Sequence, residues 1–332
     1  VTTLPEQQVI LSGMRPTGRL QLGNLLGALE NWVRLQDEWR CFFCVVDWHA
    51  LTTNYEDPGD LRENTYQMVT DWLAAGLDPE KSVIFRQSDV LEHAELHLLF
   101  SMFTPLSWLE RCPTYKDQIE QLREKNLATY GFLGYPLLQA ADILVYRANA
   151  VPVGEDQAPH IEMTREVARR FNHLYKPVFP EPATILNQVR LLPGIDGRKM
   201  SKSYGNTIEM ADEPDEVRRK VGMMITDPGR IRKTDPGNPE ICTVYAFHGV
   251  FNNGESARVA DTCRRGEVGC VRCKAELAEK LVSFLAPIYE RRRRIAGDRD
   301  YLREILASGA IKAREKAAET MEAVREAMHL KL

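Results

Sequence analysis

The sequence predicts an α/β fold, a parallel sheet flanked by helices and followed by a helical C-terminal unit. Three observations carry that expectation. Short apolar runs, "QVILS", "CFFCVVDWHAL" and "SVIFRQSD", alternate with stretches of helical period. A glycine-containing turn joins the first run to the first helix, and beyond about Asp212 the strand signal fades while helix formers take over.

In chain order, Gln8 to Ser12 is a short buried strand, and Gly13, Pro16 and Gly18 mark tight turns in the loop after it. The segment "LGNLLGALENWVRLQDEW" places Leu22, Leu25, Leu26, Leu29, Trp32 and Val33 on one helical stripe. Residues Cys41 to Leu51 read as a second buried strand, "DLRENTYQMVTDWLAAG" as a helix, and "SVIFRQSD" as a third strand. A helix over "GYPLLQAADILVY" and a strand at "AVPVG" follow. Strands alternating with helices imply right-handed crossovers in a parallel sheet, with ligands bound outside the carboxyl ends of its strands.

At 332 residues the chain exceeds what one core commonly fills, so two domains are expected, divided near residue 207. No apolar run reaches the ~18 residues of a membrane span, and "VTTLPEQQ" lacks a basic segment before an apolar core, so a cytoplasmic protein without membrane association is expected. A formal net charge of -4 argues against indiscriminate nucleic-acid binding over the whole surface, yet Arg291 to Arg294 and Lys312, Arg314 and Lys316 leave room for a local basic patch.

Several patterns carry chemistry. "RKMSKSYGN" gathers Lys199, Ser201, Lys202 and Ser203 with no apolar companion except Met200; a solvated turn and a ligand-binding loop both fit it. The turn "RPTG" before "QLGNLLGA" has the parts of a nucleotide site, since glycines let the backbone approach closely and a helix N-terminus offers unpaired N–H groups to phosphate. Tyr135, Gln139, Asp142 and Tyr146 share one face of an otherwise apolar helix. A polar stripe there needs partners, either a structural pair such as Asp142 with an arginine, or a substrate pocket. Cys242, Cys263, Cys270 and Cys273 could hold a [4Fe–4S] cluster or zinc, whereas Cys41 and Cys44 fall on opposite faces of a strand and cannot converge. "HAELH" departs from the zinc-binding H-E-x-x-H pattern and reads as a helix face.

Taken together, "SGMRPTGRLQLGNLLGALENWVRLQ", "FFCVVDWHALT", "YPLLQAADILVYRANAVPVGEDQAPHIEMTREVARRFN" and "GRKMSKSYGNTI" resemble, in order and spacing, the class I tryptophanyl-tRNA synthetases. The resemblance implies a Rossmann-type catalytic domain over 1–207, with a helical insertion at 105–146 carrying the pocket helix and a dimer surface within Pro105 to Ala128, then an all-α tRNA-recognition domain over 208–332. It implies ATP-dependent tryptophan activation and transfer to tRNA(Trp) by a homodimer, with Mg²⁺ accompanying the ATP phosphates. A tyrosine-tRNA ligase and a divergent paralogue with a binding or regulatory role are the alternatives.

The same resemblance assigns Lys199 and Lys202 to the β- and γ-phosphates, with Ser201 and Ser203 as hydroxyl donors and Met200 beside them. It gives ATP contacts to Arg15, Pro16, Thr17, Gly23, Asn24, Gly154, Glu155, Asp156 and Leu191. Gln21 stands at a catalytic position where the family usually has Thr or His. Asp142 is assigned to the indole N–H, Tyr135 and Gln157 to the α-ammonium, and His49 to the ring; Gln139 replaces a common Met, which predicts a more polar pocket tolerant of ring-substituted tryptophans. The cysteine spacing resembles the iron–sulfur motif of some members, and Arg291 to Arg294 become a patch for tRNA phosphates.

Overall fold

The computed structural model describes residues 8–112, 115–116, 127–186, 192–252 and 254–331. Strands β1 (Val9–Met14), β2 (Arg40–Val45), β3 (Ser82–Arg86), β4 (Ala150–Val153) and β5 (Ala183–Leu186) form one sheet in the order β3-β2-β1-β4-β5. Every pair is parallel, and Ile10 sits beside Cys41 on one side and Ala150 on the other. Successive strands therefore leave β1 in opposite directions, and the crevice above the carboxyl ends of β1 and β4 is the topological switch point where such sheets bind ligands.

Residues alternate between the two faces of the sheet, and each face buries its own helical layer. Ile10, Cys41, Phe43 and Ile84 pack with the first helix, with α3 (Leu61–Ala75), and with α8 (Pro214–Met223), α9 (Thr243–Phe251) and α11 (Cys270–Ile295). Leu11, Phe42, Cys44 and Phe85 pack with α4 (Glu92–Ser101), α6 (Tyr130–Leu144) and α7 (Ala158–Leu174). Cys41 and Cys44 thus sit in different cores, as the strand period requires. Trp32 stacks on Phe43 with ring centroids 4.7 Å apart and meets Trp72 edge-on at 5.3 Å. Each such buried aromatic side chain contributes roughly 1.5–3 kcal/mol through the water it sheds.

The last helix, α12 (Arg299–Ala327), closes the edge of the sheet. Leu302, Ile305 and Leu306 belong to the first core and Ala310, Ala313, Ala317 and Met321 to the second, so the helix crosses from one face to the other beside the edge strand β3. Gly309 is the crossing point: a Cβ there would lie 1.8 Å from the Ile84 carbonyl oxygen. The close approach covers an edge that would otherwise invite pairing with another chain.

Three local expectations need correction. The run Cys41 to Leu51 is not one strand; it ends at Val45 and continues as α2 (Asp47–Asn54). The Asp47 carboxylate accepts from the Trp48 and Ser88 N–H groups at 3.1 Å each, fixing that helix start against the segment after β3. Short apolar runs do not distinguish a buried strand from a buried helix. The first helix, α1, is interrupted: Leu22–Asn24 and Glu30–Leu35 are α-helical, but Leu25–Leu29 between them is wider, with π-type hydrogen bonding. Finally, the run Arg291 to Arg294 is not a simple outward patch, because Arg291 donates to the Ala74 carbonyl and Arg292 to the Asp71 carboxylate, each at 2.6 Å.

Candidate active site at the sheet switch point

A cavity of about 490 Å³ opens above the carboxyl ends of β1 and β4. Arg15, His49, Tyr135, Gln139, Asp142 and Gln157 line it, with Asn24 and Gly154 at its wall. The loop after β1 delivers Arg15, α1 delivers Asn24, α2 delivers His49, and α6 presents Tyr135, Gln139 and Asp142 on one face. The helical bend at Leu25–Leu29 brings Gly27 and Ala28 to the same wall.

Asp142 is 2% exposed, and the structure gives it partners other than the arginine that a structural pair would supply. His49 Nε2 lies 2.7 Å from its Oδ2, while His93 Nδ1 lies 2.6 Å from Oδ1 and Gln87 Nε2 donates to Oδ1 at 2.7 Å. Tyr146, the fourth residue of the polar stripe, reaches the network through its hydroxyl, 2.7 Å from His93 Nε2. Burial alone would raise the Asp142 pKa, yet the hydrogen bonds and charge of His49 and His93 outweigh it and hold the carboxyl at about 2. The result is a fixed carboxylate at the bottom of a cavity, with Oδ2 carrying one protein partner where Oδ1 carries two. A carboxylate oxygen has room for a second donor, so Oδ2 is the acceptor open to a ligand N–H or O–H.

His93 and Gln87 escape a sequence reading because their partner is remote in sequence. "HAELH" does form a helix, but His93 faces inward and is wholly buried. A signal existed in the pairing of a polar stripe on one helix with a histidine on another, without any means of saying that the two meet.

The second half of the crevice belongs to "RKMSKSYGN". Lys202 Nζ donates to the Thr17 carbonyl at 2.6 Å, so the lysine loop lies against the turn "RPTG" although 185 residues separate the two partners. Met200 is buried in the core, and its sulfur would lie 3.9 Å from a Cβ at Gly23. Burial lowers the Lys202 pKa, against the raising influence of Glu209 and Asp71. Asn206, 2% exposed and missed from sequence, organises the loop: its Oδ1 accepts from Ser201 N at 2.8 Å, and its Nδ2 donates to Asp196 Oδ1 at 2.7 Å and the Lys199 carbonyl at 3.1 Å. Gly194 makes room for it, since a Cβ there would fall 2.2 Å from Asn206 Nδ2.

Of the residues singled out from sequence, the cavity itself gathers Arg15, Asn24, His49, Tyr135, Gln139, Asp142, Gly154 and Gln157. Pro16, Thr17, Gln21, Gly23, Glu155, Lys199, Met200, Ser201 and Lys202 are not among its lining residues. Gln21 takes the position before the first turn of α1, where its N–H donates to Asn24 Oδ1 at 3.1 Å and its own Oε1 is buried with no hydrogen-bond partner among the described residues. Leu191 and the side chains of Asp156 and Ser203 lie outside the described residues.

The four cysteines gather where α9, α10 (Ser256–Arg264) and α11 meet. Arg230 Nη1 approaches Cys263 and Cys270 sulfurs at 3.8 and 3.9 Å, and Cys273 Sγ lies 3.4 Å from His248 Nε2. Burial first, then the neighbouring Cys242, Cys263, Glu276 and Cys270, pushes the Cys273 thiol up to about 12. Among the described residues no group of three or more His, Cys, Asp or Glu side chains is closed around one metal position.

Comparison with known proteins places the chain in a family. Residues 5–286 match the family model described as tRNA synthetases class I (W and Y). The chain is 56% identical to a tryptophan–tRNA ligase of Thermotoga maritima, over 97% of this chain and 99% of that protein, and 46% identical to one of Aquifex aeolicus over 97% and 99%. A solved tryptophanyl-tRNA synthetase of Campylobacter jejuni, complexed with ADP and tryptophan, superposes with a TM-score of 0.87 at 32% identity, covering 97% of this chain and 100% of that one. On the strength of that family match and of identity sustained from end to end, the chain belongs to the class I tRNA synthetases of the W and Y group, among the tryptophan–tRNA ligases.

Proposed function

We infer that this chain joins L-tryptophan to ATP, forming tryptophanyl-adenylate and pyrophosphate, and passes the tryptophanyl group to tRNA(Trp). The observation that carries the reading is Asp142, a buried carboxylate fixed by His49, His93 and Gln87 in a cavity at the sheet switch point. An indole N–H is a donor and needs such an acceptor, and a site built to receive it rejects phenylalanine, which would leave the carboxylate unmatched. Tyr135 and Gln157 stand on the same cavity wall as candidates for the α-ammonium.

The tryptophan carboxylate oxygen attacks the α-phosphorus of ATP as the bond to the bridging oxygen of pyrophosphate breaks. Negative charge builds on the phosphate oxygens, and Lys199 and Lys202 supply positive charge, with Arg15, Asn24 and Gly154 lining the approach. Mg²⁺ would arrive with the triphosphate and add charge compensation at its β- and γ-oxygens. Lys202 in this structure is held by the Thr17 carbonyl, a neutral acceptor that phosphate oxygens outcompete. Gln139 adds a polar group to the cavity wall, which would let hydroxy- or nitro-substituted tryptophan be tolerated.

Residues 208–332 are assigned the recognition of tRNA, and a homodimer is the working assembly. Exposed apolar side chains along and at the ends of α4 support the dimer: Leu98 on the helix and Leu91 and Met102 capping it are 54%, 68% and 65% exposed, and Leu106 on the short helix α5 (Leu106–Glu110) extends them at 63%. Half of the segment Pro105 to Ala128 lies outside the described residues. No helix among the described residues is long and apolar enough to cross a membrane, and we place the activity in the cytoplasm.

The cysteine group is proposed to hold a [4Fe–4S] cluster through Cys242, Cys263, Cys270 and Cys273. The support for this reading is the spacing of the four cysteines and their meeting around Arg230 and Cys273. When bound, the cluster would cross-link the starts of α9 and α11 to α10. Iron and sulfide analysis with a visible absorption spectrum of anaerobically purified protein tests it; colourless, iron-free protein with full charging activity counts against it.

The function itself is tested by amino-acid-dependent ATP–pyrophosphate exchange and by charging of tRNA(Trp). Exchange with tryptophan but not tyrosine or phenylalanine is the expected result, and exchange with tyrosine alone would overturn it.

A further inference from the structure

Asp71 lies on α3, outside the cavity, and is wholly buried. Its two carboxylate oxygens serve two distant parts of the chain. Oδ2 accepts from the Leu20 N–H at 2.6 Å, in the turn that leads into Gln21 and the first residues of α1. Oδ1 accepts from Arg292 Nε at 2.6 Å, on α11. Arg292 also donates through Nη2 to Gln67 Oε1 at 2.5 Å, one helical turn back along α3, and Arg291 donates to the Ala74 carbonyl at 2.6 Å. The Leu20 turn is tied on its other side to the segment after the lysine loop, with Met210 N donating to the Leu20 carbonyl at 2.8 Å and Leu22 N to the Ile208 carbonyl at 2.9 Å.

A buried ion pair adds little net stability, because desolvation of both charges offsets most of their attraction. What it does impose is direction. Hydrogen bonds to an ionised acceptor are short and strongly oriented, so the Leu20 N–H can sit in one place only while Arg292 holds the carboxylate from the far side. The charge of Asp71 also reaches Lys202, whose ammonium it favours. One buried carboxylate therefore touches the turn before α1, the helix that belongs to the C-terminal region, and the field at the lysine loop.

We propose that Asp71 is a positioning residue for the nucleotide half of the reaction, clamping the turn at Leu20 to α11 through Arg292 so that the seating of that helix and the placement of Gln21 to Asn24 are set together. The proposal rests on ATP being the nucleotide. Its consequence is that a disturbance of α11 at Arg292 is read at the ATP site and not at the tryptophan site, since the hydrogen bonds of His49, His93 and Gln87 that fix Asp142 do not run through this pair.

The test uses the full chain as Asp71→Asn, Arg292→Gln and Arg292→Lys. ATP and tryptophan binding are measured separately by calorimetry, and KM for each substrate and kcat by pyrophosphate exchange. In Asp71→Asn the Kd and KM for ATP are expected to rise roughly tenfold, the scale of one oriented charge-assisted hydrogen bond, while those for tryptophan stay within about twofold. Arg292→Gln is expected to show the same split more weakly, and Arg292→Lys to restore part of it. If Asp71→Asn fails to fold, Arg292→Gln, which leaves the Leu20 bond in place, supplies the reading. Equal changes for both substrates, or unchanged constants with a lowered Tm, would mean a purely structural pair and overturn the proposal. Wild-type protein that binds ATP yet exchanges no pyrophosphate with tryptophan would defeat the proposed reaction, and the ATP-binding arm would still decide the role of Asp71.

Discussion

The two halves of the crevice are built in opposite ways. On the tryptophan side Asp142 is buried and held at Oδ1 by Gln87 and by His93, whose other nitrogen meets Tyr146, so the carboxylate is fixed while Oδ2 keeps room for a ligand donor. On the nucleotide side Lys202 holds a backbone carbonyl, while Arg198 spans Asp196 and the half-exposed ring of Tyr204. The first half is preorganised to recognise, so its free energy goes into discrimination. In the proposed reaction the second would be completed by the polyphosphate, with its contribution appearing as charge develops in the transition state.

The largest effect expected from this contrast is at Asp142. Asp142→Asn removes the carboxylate that two histidines and Gln87 hold, and kcat/KM for tryptophan should fall roughly 10³-fold, with KM for ATP within about twofold. Pyrophosphate exchange over both substrates checks it, and parallel losses would erase the distinction between the halves. Lys202→Ala should do the reverse, lowering kcat about 10²-fold while calorimetric tryptophan affinity stays unchanged. Asn206→Ala, which strips Ser201 N and the Lys199 carbonyl of their partner, is expected to lower kcat about tenfold and the Tm by a few degrees, read by exchange and calorimetry.

Acid sharpens the contrast further. The folded Asp142 carboxyl is held at about 2, below the ~3.9 of an unfolded chain, so its contribution to stability is complete above the unfolded value and is lost as pH falls through the folded one. Urea titrations at intervals between pH ~5 and ~2 should show wild-type stability dropping more steeply than that of Asp142→Asn. The smallest effect is at Gln139: Gln139→Met should shift the preference between tryptophan and hydroxytryptophan by only a fewfold, about 1 kcal/mol, because one wall group changes while the acceptor stays. An unchanged ratio in exchange assays would remove Gln139 as a specificity determinant.

How much of this was readable beforehand differs between the same two halves. "RKMSKSYGN" and the turn "RPTG" stood out as local clusters of glycines and lysines whose pairing came from the family resemblance, and the structure does lay one against the other. The tryptophan side declared only half of itself. Tyr135, Gln139 and Asp142 follow from helical spacing, but Gln87 and His93 lie 55 and 49 residues from Asp142 and share no periodicity with it. The same limit explains the misread run Cys41 to Leu51, where apolar continuity concealed the change from β2 to α2, and the arginines at 291 and 292, whose charge pattern gave no hint that both turn inward.

The sequence by itself therefore determined the elements, their alternation and the parallel sheet they imply, because periodicity and turn chemistry are properties of neighbouring residues. Only the tertiary structure decided which partners fix Asp142, that Asn206 holds the lysine loop, that α12 seals the sheet edge at Gly309, and that Asp71 joins the Leu20 turn to α11. The physical reason is that a buried polar group must find its partner wherever the packing of apolar faces delivers one, and that packing brings together residues hundreds of positions apart.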